Sequence, residues 1–310
     1  MSKRYAIVSI GTNSTRALLA DVESDPPRIE LARSIGTRLG EGLGEAGRLG
    51  DEPMRRTLDA VSQLARALRG HYVRLFAVST SAVRRAENGD EFSAEVQKML
   101  NVPLRLLSGE EEAAASYRGA LTAFGALRGE KVGVVDVGGG STECAVGDSN
   151  VPERVLSCEI GAVRLTEAGA EPAQMREMAR EALKPLEELK PIERLAFVGG
   201  SATTTAAILR GGKPFGLSHT VTRDDLKRVL EQLLGMNVDQ RKKVAGMRAQ
   251  RADILPAGII ILEAALTALG QERAIVTTSD LLLGVLLQER DAGQAARVHG
   301  APPTRREMWG

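Results

Sequence analysis

The chain has 310 residues, with 41 Lys and Arg against 40 Asp and Glu, a net charge of +1 and only 3% aromatic residues. That length suits two domains, each able to bury its own core. Balanced, well-mixed charge excludes a general nucleic-acid or membrane-surface binder, and so few aromatic rings leave no stacking platform for single strands. No segment approaches membrane-spanning length. Met1 to Ala6 run straight into a strand with no apolar stretch of signal-peptide length. Cys144 and Cys158 are the only cysteines, and both lie in apolar strand-like segments. They read as reduced thiols of a cytoplasmic protein, and with His71, His219 and His299 far apart no zinc spacing exists.

In chain order, the apolar run Tyr5 to Ile10, a glycine-bearing turn and the run Ala17 to Ala20 predict strand, tight turn, strand. A strand over Arg28 to Ser34 follows, then the glycine-rich loop Gly36 to Gly44, a helix over Glu52 to Leu68 and a strand over Val73 to Val78. Ser79-Thr80-Ser81 is a helix N-cap signal, Glu91 to Leu100 an amphipathic helix and Leu104 to Leu106 a short strand. Ser108, with Glu111 three residues on, opens another helix in capping-box fashion. The second half repeats the style. Val132 to Val137, a glycine turn and Cys144 to Val146 form a hairpin, followed by a strand at Arg154 to Glu159, a helix over Ala173 to Leu189 and a strand at Arg194 to Val198. Gly199 to Thr204 is a small-residue turn at a strand-to-helix junction. Helices at Asp224 to Leu234 and Ile254 to Leu269, a strand at Ala274 to Thr277 and a last helix over Leu281 to Gln288 complete the pattern. From Glu289 the apolar period is lost and the tail is expected to fray.

The two hairpins carry the chemical signal. Val8-Ser9-Ile10-Gly11-Thr12-Asn13-Ser14-Thr15 lines up with Val135-Asp136-Val137-Gly138-Gly139-Gly140-Ser141-Thr142. Glycine lets the main chain approach an anion, while successive N–H groups and the hydroxyls of Thr12, Ser14, Ser141 and Thr142 point at phosphate oxygens. One such turn alone is more often an ordinary hairpin. Its recurrence at the same offsets points to a cleft with a phosphate chain between two halves.

Several segments in order resemble the exopolyphosphatase and guanosine pentaphosphate phosphohydrolase (Ppx/GppA) family of the actin-like ATPase superfamily. They are Ile10 to Ser14, Arg38-Leu39-Gly40-Glu41-Gly42, Ser79 to Arg84, Ala86-Glu87-Asn88-Gly89, Ser108 to Ala113, Asp136 to Glu143, Gly161 to Leu165, Gly199 to Thr203 and Arg251-Ala252-Asp253. The resemblance implies an α/β fold of two actin-like (ribonuclease H-like) domains with a central cleft. The expected domains are 1–122 and 123–290, with the last helix packing back on the first and 291–310 a flexible tail. Glu112 falls on the family's catalytic glutamate, and a carboxylate one turn into a helix suits orienting water for in-line attack. Taken alone, a first-turn Glu is also a dipole partner, the role left to Glu110 and Glu111.

Asp136 and Glu143 match the family's ligands for Mg²⁺, although Glu143 by itself reads also as a solvent-facing strand residue. Arg84 matches an arginine beside the cleft, where its donor fork would bind phosphate and, with Arg38, make the cleft positive. The phosphate-binding set is then Gly11, Thr12, Asn13, Ser14, Arg84, Gly138, Gly139, Gly140, Ser141, Thr142, Gly200 and Ser201. Two departures stand out. Ser9 occupies a position where the family usually has Asp, and Thr277-Thr278 aligns with a Ser-Asp pair, leaving Ser279-Asp280 displaced by two. The function implied is release of terminal phosphate from polyphosphate or guanosine pentaphosphate. The alternative is a weakly active or non-catalytic sensor of the same ligands. No nucleic acid or membrane partner is expected, a homodimer is compatible with the resemblance, and the oligomeric state stays open.

Overall fold

The computed structural model describes residues 3–124, 129–214 and 216–298. Its first sheet comprises β1 (Arg4–Ile10), β2 (Ser14–Asp21), β3 (Arg28–Gly36), β4 (Arg74–Ser79) and β5 (Leu104–Leu106), in the order β3-β2-β1-β4-β5. Helices α1 (Leu43–Ala46), α2 (Asp51–Leu68), α3 (Ser81–Arg85) and α4 (Gly89–Leu100) connect these strands. Alternation along β1 sends Ala6, Val8 and Ile10 to one face, against Val61, Leu64 and Leu68 of α2 and Phe92 and Val96 of α4. α2 forms because its apolar residues recur at helical spacing and Asp51 and Glu52 complement the first turn.

The second sheet comprises β6 (Val132–Val137), β7 (Thr142–Gly147), β8 (Arg154–Cys158), β9 (Arg194–Val198), β10 (Ser218–Thr222) and β11 (Arg273–Thr277), in the order β10-β11-β9-β6-β7-β8. With it go α5 (Gly109–Ala120), α6 (Ala162–Glu167), α7 (Pro172–Leu183), α8 (Gly199–Leu209), α9 (Arg223–Leu234), α10 (Val238–Arg241), α11 (Leu255–Ala268) and α12 (Leu281–Val298). The series β3-β2-β1-β4 and β8-β7-β6-β9 share one plan. Three antiparallel strands are followed by a strand parallel to the innermost. This duplicated α/β plan is the expected one.

Two helices exchange places. α5 lies in the stretch assigned to the first domain, yet Ala113, Tyr117 and Ala120 pack on Val132, Val134 and Ala145 of the second sheet. α12 covers the first sheet, where Leu282, Leu283 and Leu286 join Ile7, Leu18 and Phe76. The helices meet backbone to backbone, since a Cβ built on Gly284 would lie 1.7 Å from the Ala115 carbonyl oxygen.

Some sequence expectations change. α7 stops at Leu183 and gives way to a 3₁₀ segment, Lys184–Leu189, because Pro185 has no N–H for the α-helical ladder. β10 carried no strand signal; among the described residues it is an edge strand paired with β11 alone. α12 continues to Val298, so the first eight residues of the predicted tail are helical. Arg290 donating to the Val22 carbonyl (3.0 Å) and Arg118 donating to Asp291 (3.1 Å) hold it without apolar periodicity. Residues 299–310 of that tail lie outside the described residues. Ser279-Asp280 directly precede α12, so the supposed displacement of this pair disappears. Among the described residues no helix is long and apolar enough to cross a membrane.

Gly284→Ala should test the helix exchange. Its methyl group has backbone, not a movable side chain, in its way, so stability should fall by about 2 kcal/mol or more despite alanine's better helix propensity. Urea unfolding of both proteins measures it.

Candidate active site

The two glycine turns face each other between the sheets. The same hydrogen bond closes both: Gly11 N–H donates to the Ser14 carbonyl and Gly138 N–H to the Ser141 carbonyl, each at 3.0 Å. Around them lies a recess lined by Ser9, Thr80, Ser81, Glu112, Asp136 and Glu143. It adjoins a cavity of about 700 Å³ walled by Arg16, Arg33, Arg248, Gln250 and Arg251; Gly199 and Gly200 line both spaces.

Three carboxylates reach the recess from different elements. Ser108 caps α5 through Glu111, accepting from its N–H at 3.1 Å while the Glu111 side chain accepts from Ser108 N–H at 2.7 Å. Glu112 thereby sits one turn in, 6% exposed. Arg84 donates to Glu112 Oε1 at 2.8 Å and also to the Leu107 carbonyl. Asp136 and Glu143 are register partners across β6 and β7, so their side chains share a face. Ser116 donates to Asp136 Oδ2 at 2.7 Å and Ser157 to Glu143 Oε1 at 3.1 Å. Burial pushes Glu112 up to about 7, against the opposing effect of Arg84. Desolvation, with Asp280 nearby, lifts Asp136 to about 6. Burial and then the charges of Glu112 and Asp136 raise Glu143. Among the described residues no three Asp, Glu, His or Cys side chains form a ready-made metal cage.

The cationic wall has little compensation. Arg16 pairs with Asp280. Among the described residues neither Arg248 nor Arg251 has a carboxylate at ion-pair distance. Burial, then the neighbouring charges of Arg248 and Arg16, lower Arg251 to about 10. Its guanidinium lies across Gly200, 1.8 Å from where a Cβ would be. Such a wall holds anions.

Residues 28–291 match the model of the Ppx/GppA phosphatase family. The chain belongs to that family. It is 34% identical to exopolyphosphatase 2 of Mycobacterium tuberculosis, over 92% of this chain and 98% of that protein. Its identity to the guanosine-5′-triphosphate,3′-diphosphate pyrophosphatase of Vibrio vulnificus is 29%, over 84% of this chain and 54% of that one. The crystal structure of an exopolyphosphatase from Cytophaga hutchinsonii superposes with a TM-score of 0.85 at 27% identity, covering 94% of this chain and 98% of that one. The α/β reading of the fold, with its two sheets, stands with this family membership.

Of the residues predicted for a Ppx/GppA site, Gly11, Thr12, Asn13, Ser14, Gly138, Gly139, Gly140, Ser141, Gly200, Glu112, Asp136 and Glu143 line the recess. Three do not. Strand alternation turns Thr142 away from Glu143, and its hydroxyl donates to the Ile160 carbonyl at 2.6 Å. Ser201 is fully buried one residue beyond Gly200, against Gly258 of α11. Arg84 is spent on Glu112 and Leu107 rather than forked toward the cavity. Arg38 likewise pairs with Asp253 across the two halves. The positive wall comes instead from Arg16, Arg248 and Arg251. Arg16 was legible, since it follows Ser14 by two residues on one strand and so shares its face. Arg251 stands in a segment carrying the family resemblance, but the sequence offers no sign that it reaches Gly200. Ser9 is buried in the recess, opposite Arg16 in register.

The proton equilibrium of Glu112 gives a stability test. A folded-state value near 7, above the ordinary 4.5, means folding favours the protonated form. That contribution is complete below about pH 4.5 and is lost as pH rises through 7. Glu112→Gln is neutral throughout, so its stability relative to the parent should improve by about 3 kcal/mol between pH 5 and pH 9. Urea unfolding with a metal chelator present measures the difference.

Proposed function

We propose that this protein hydrolyses the terminal phosphoanhydride bond of inorganic polyphosphate, with the 5′-triphosphate end of guanosine pentaphosphate as a second substrate of the same chemistry. The observation that carries this is a buried carboxylate, Glu112, held by Arg84 at the edge of a recess bounded by two glycine turns. The names of the relatives, an exopolyphosphatase and a guanosine-5′-triphosphate,3′-diphosphate pyrophosphatase, agree with it.

The terminal phosphoryl group lies between the turns, where the N–H groups of Thr12, Asn13, Gly139 and Gly140, at the tips, take up its oxygens. Glu112 accepts a proton from the attacking water, the phosphorus–oxygen bond to water forms, and the bond to the shortened chain breaks in line. A proton affinity near neutrality suits that task. Arg84 keeps one oxygen of Glu112 occupied and so aims the other. Further phosphates occupy the 700 Å³ cavity, where Arg251, Arg248 and Arg16 neutralise them.

Asp136 and Glu143 fit Mg²⁺ by donor chemistry. Hard oxygens crowd in one recess, and their mutual repulsion is the kind a cation relieves. Phosphate oxygens and water would complete a coordination that the carboxylates alone do not close. When bound, the cation neutralises charge on the phosphate oxygens.

Phosphate release from long-chain polyphosphate with Mg²⁺ is the direct test. Glu112→Gln should lower it at least about a hundredfold while polyphosphate still binds. In the parent, kcat/KM should rise with pH through about 7 as Glu112 loses its proton. Release in Glu112→Gln equal to the parent's, or none from the parent, would contradict the reading.

Arg251→Ala should weaken polyphosphate binding roughly tenfold at low ionic strength and less at high salt, because the lost interaction is a charge attraction. Filter binding across a salt series reads both quantities.

A further inference from the structure

Glu112 and Ser116 lie one turn apart on α5, so they face the same way. Ser116 is 1% exposed, and its hydroxyl behaves unlike four other buried hydroxyls on helices. Thr57, Ser93, Thr203 and Thr205 each donate to the carbonyl four residues earlier, a local bond that satisfies the group within its own helix. Ser116 donates outward to Asp136 Oδ2 on β6 at 2.7 Å. The other oxygen, Oδ1, lies against Gly199, which begins α8 with φ 84. A Cβ there would sit 2.4 Å from Oδ1. Asp136 is therefore gripped from both sides, by a hydroxyl and by a bare glycine backbone.

We infer that Ser116 is a positioning residue that fixes the rotation of the Asp136 carboxylate for cation binding. This rests on the reading of Asp136 as a cation ligand. A carboxylate free to rotate would lose entropy on meeting a cation, whereas one oxygen already taken by a rigid donor presents the other at a set angle. Because Glu112 shares the helix, α5 also sets the spacing between the carboxylate facing water and the one facing the cation. The family segment Ser108 to Ala113 stops short of residue 116, so this role lies outside the motif that marks the site.

The test compares Ser116→Thr with Ser116→Val. Both enlarge the side chain almost equally, so packing costs cancel and only the hydroxyl differs. Mn²⁺ binding to the substrate-free protein is followed by electron paramagnetic resonance, beside Asp136→Asn. Ser116→Val should weaken Mn²⁺ binding roughly tenfold, Ser116→Thr should stay within about twofold of the parent, and half-activation by Mg²⁺ should shift in parallel. Equal affinity in the Thr and Val proteins, with Asp136→Asn defective, would overturn the role of Ser116 alone. Parental affinity in Asp136→Asn would overturn the cation reading of Asp136 and the inference with it. Should the larger side chains prevent folding, Ser116→Ala makes the same comparison, with the same tenfold loss expected and parental affinity overturning the role.

Discussion

The contact between α5 and α12 at Ala115 and Gly284 governs much of the molecule. Each helix covers the sheet of the other half, and they cross with main chain against main chain. A close, side-chain-free crossing leaves little room for sliding, since any shift drives backbone into backbone. Glu112 rides on α5 and Asp280 stands at the start of α12. Through these two residues the crossing sets the carboxylate of the recess against the Arg16 side of the cavity.

Around that crossing, charge is segregated over a short distance. Glu112, Asp136 and Glu143 share the recess, while Arg16, Arg248 and Arg251 wall the adjoining cavity. Each set is unfavourable by itself: the carboxylates bind protons too readily and Arg251 too weakly. Groups of opposite charge would relieve both, so the site is pre-organised at a cost. Serine hydroxyls on Asp136 and Glu143, and Arg84 on Glu112, keep the carboxylates oriented meanwhile.

The duplicated sheet plan explains why two similar turns differ in use. The first follows β1 and carries Ser9; the second follows β6 and carries Asp136 at the corresponding place. Negative side chains are therefore concentrated on the second half and on α5. In the first half Ser9 lies opposite Arg16, whose partner is Asp280. The two turns share one main-chain geometry and differ in the side chains beside it.

What the sequence determined by itself was local. Alternating apolar runs, glycine turns and the Ser108–Glu111 cap are encoded within a few residues, so every strand but β10, both hairpins and the start of α5 could be read directly. The placing of Glu112, Asp136 and Glu143 in one recess was implied by the resemblance of Ser108 to Ala113 and Asp136 to Glu143 to the Ppx/GppA family, since a local signal does not say which segments meet. Tertiary structure decided the rest. Whether Arg84 turns to phosphate or to Glu112, and whether Arg251 reaches Gly200, depends on separations far beyond any sequence window. The same holds for Thr142, where one step of strand alternation moves a hydroxyl from cleft to core, and for Ser116, whose acceptor lies on β6. The return of α12 to the first sheet was implied by the family resemblance, whereas the crossing of α5 to the second sheet was hidden, because apolar spacing names a buried face without naming what buries it.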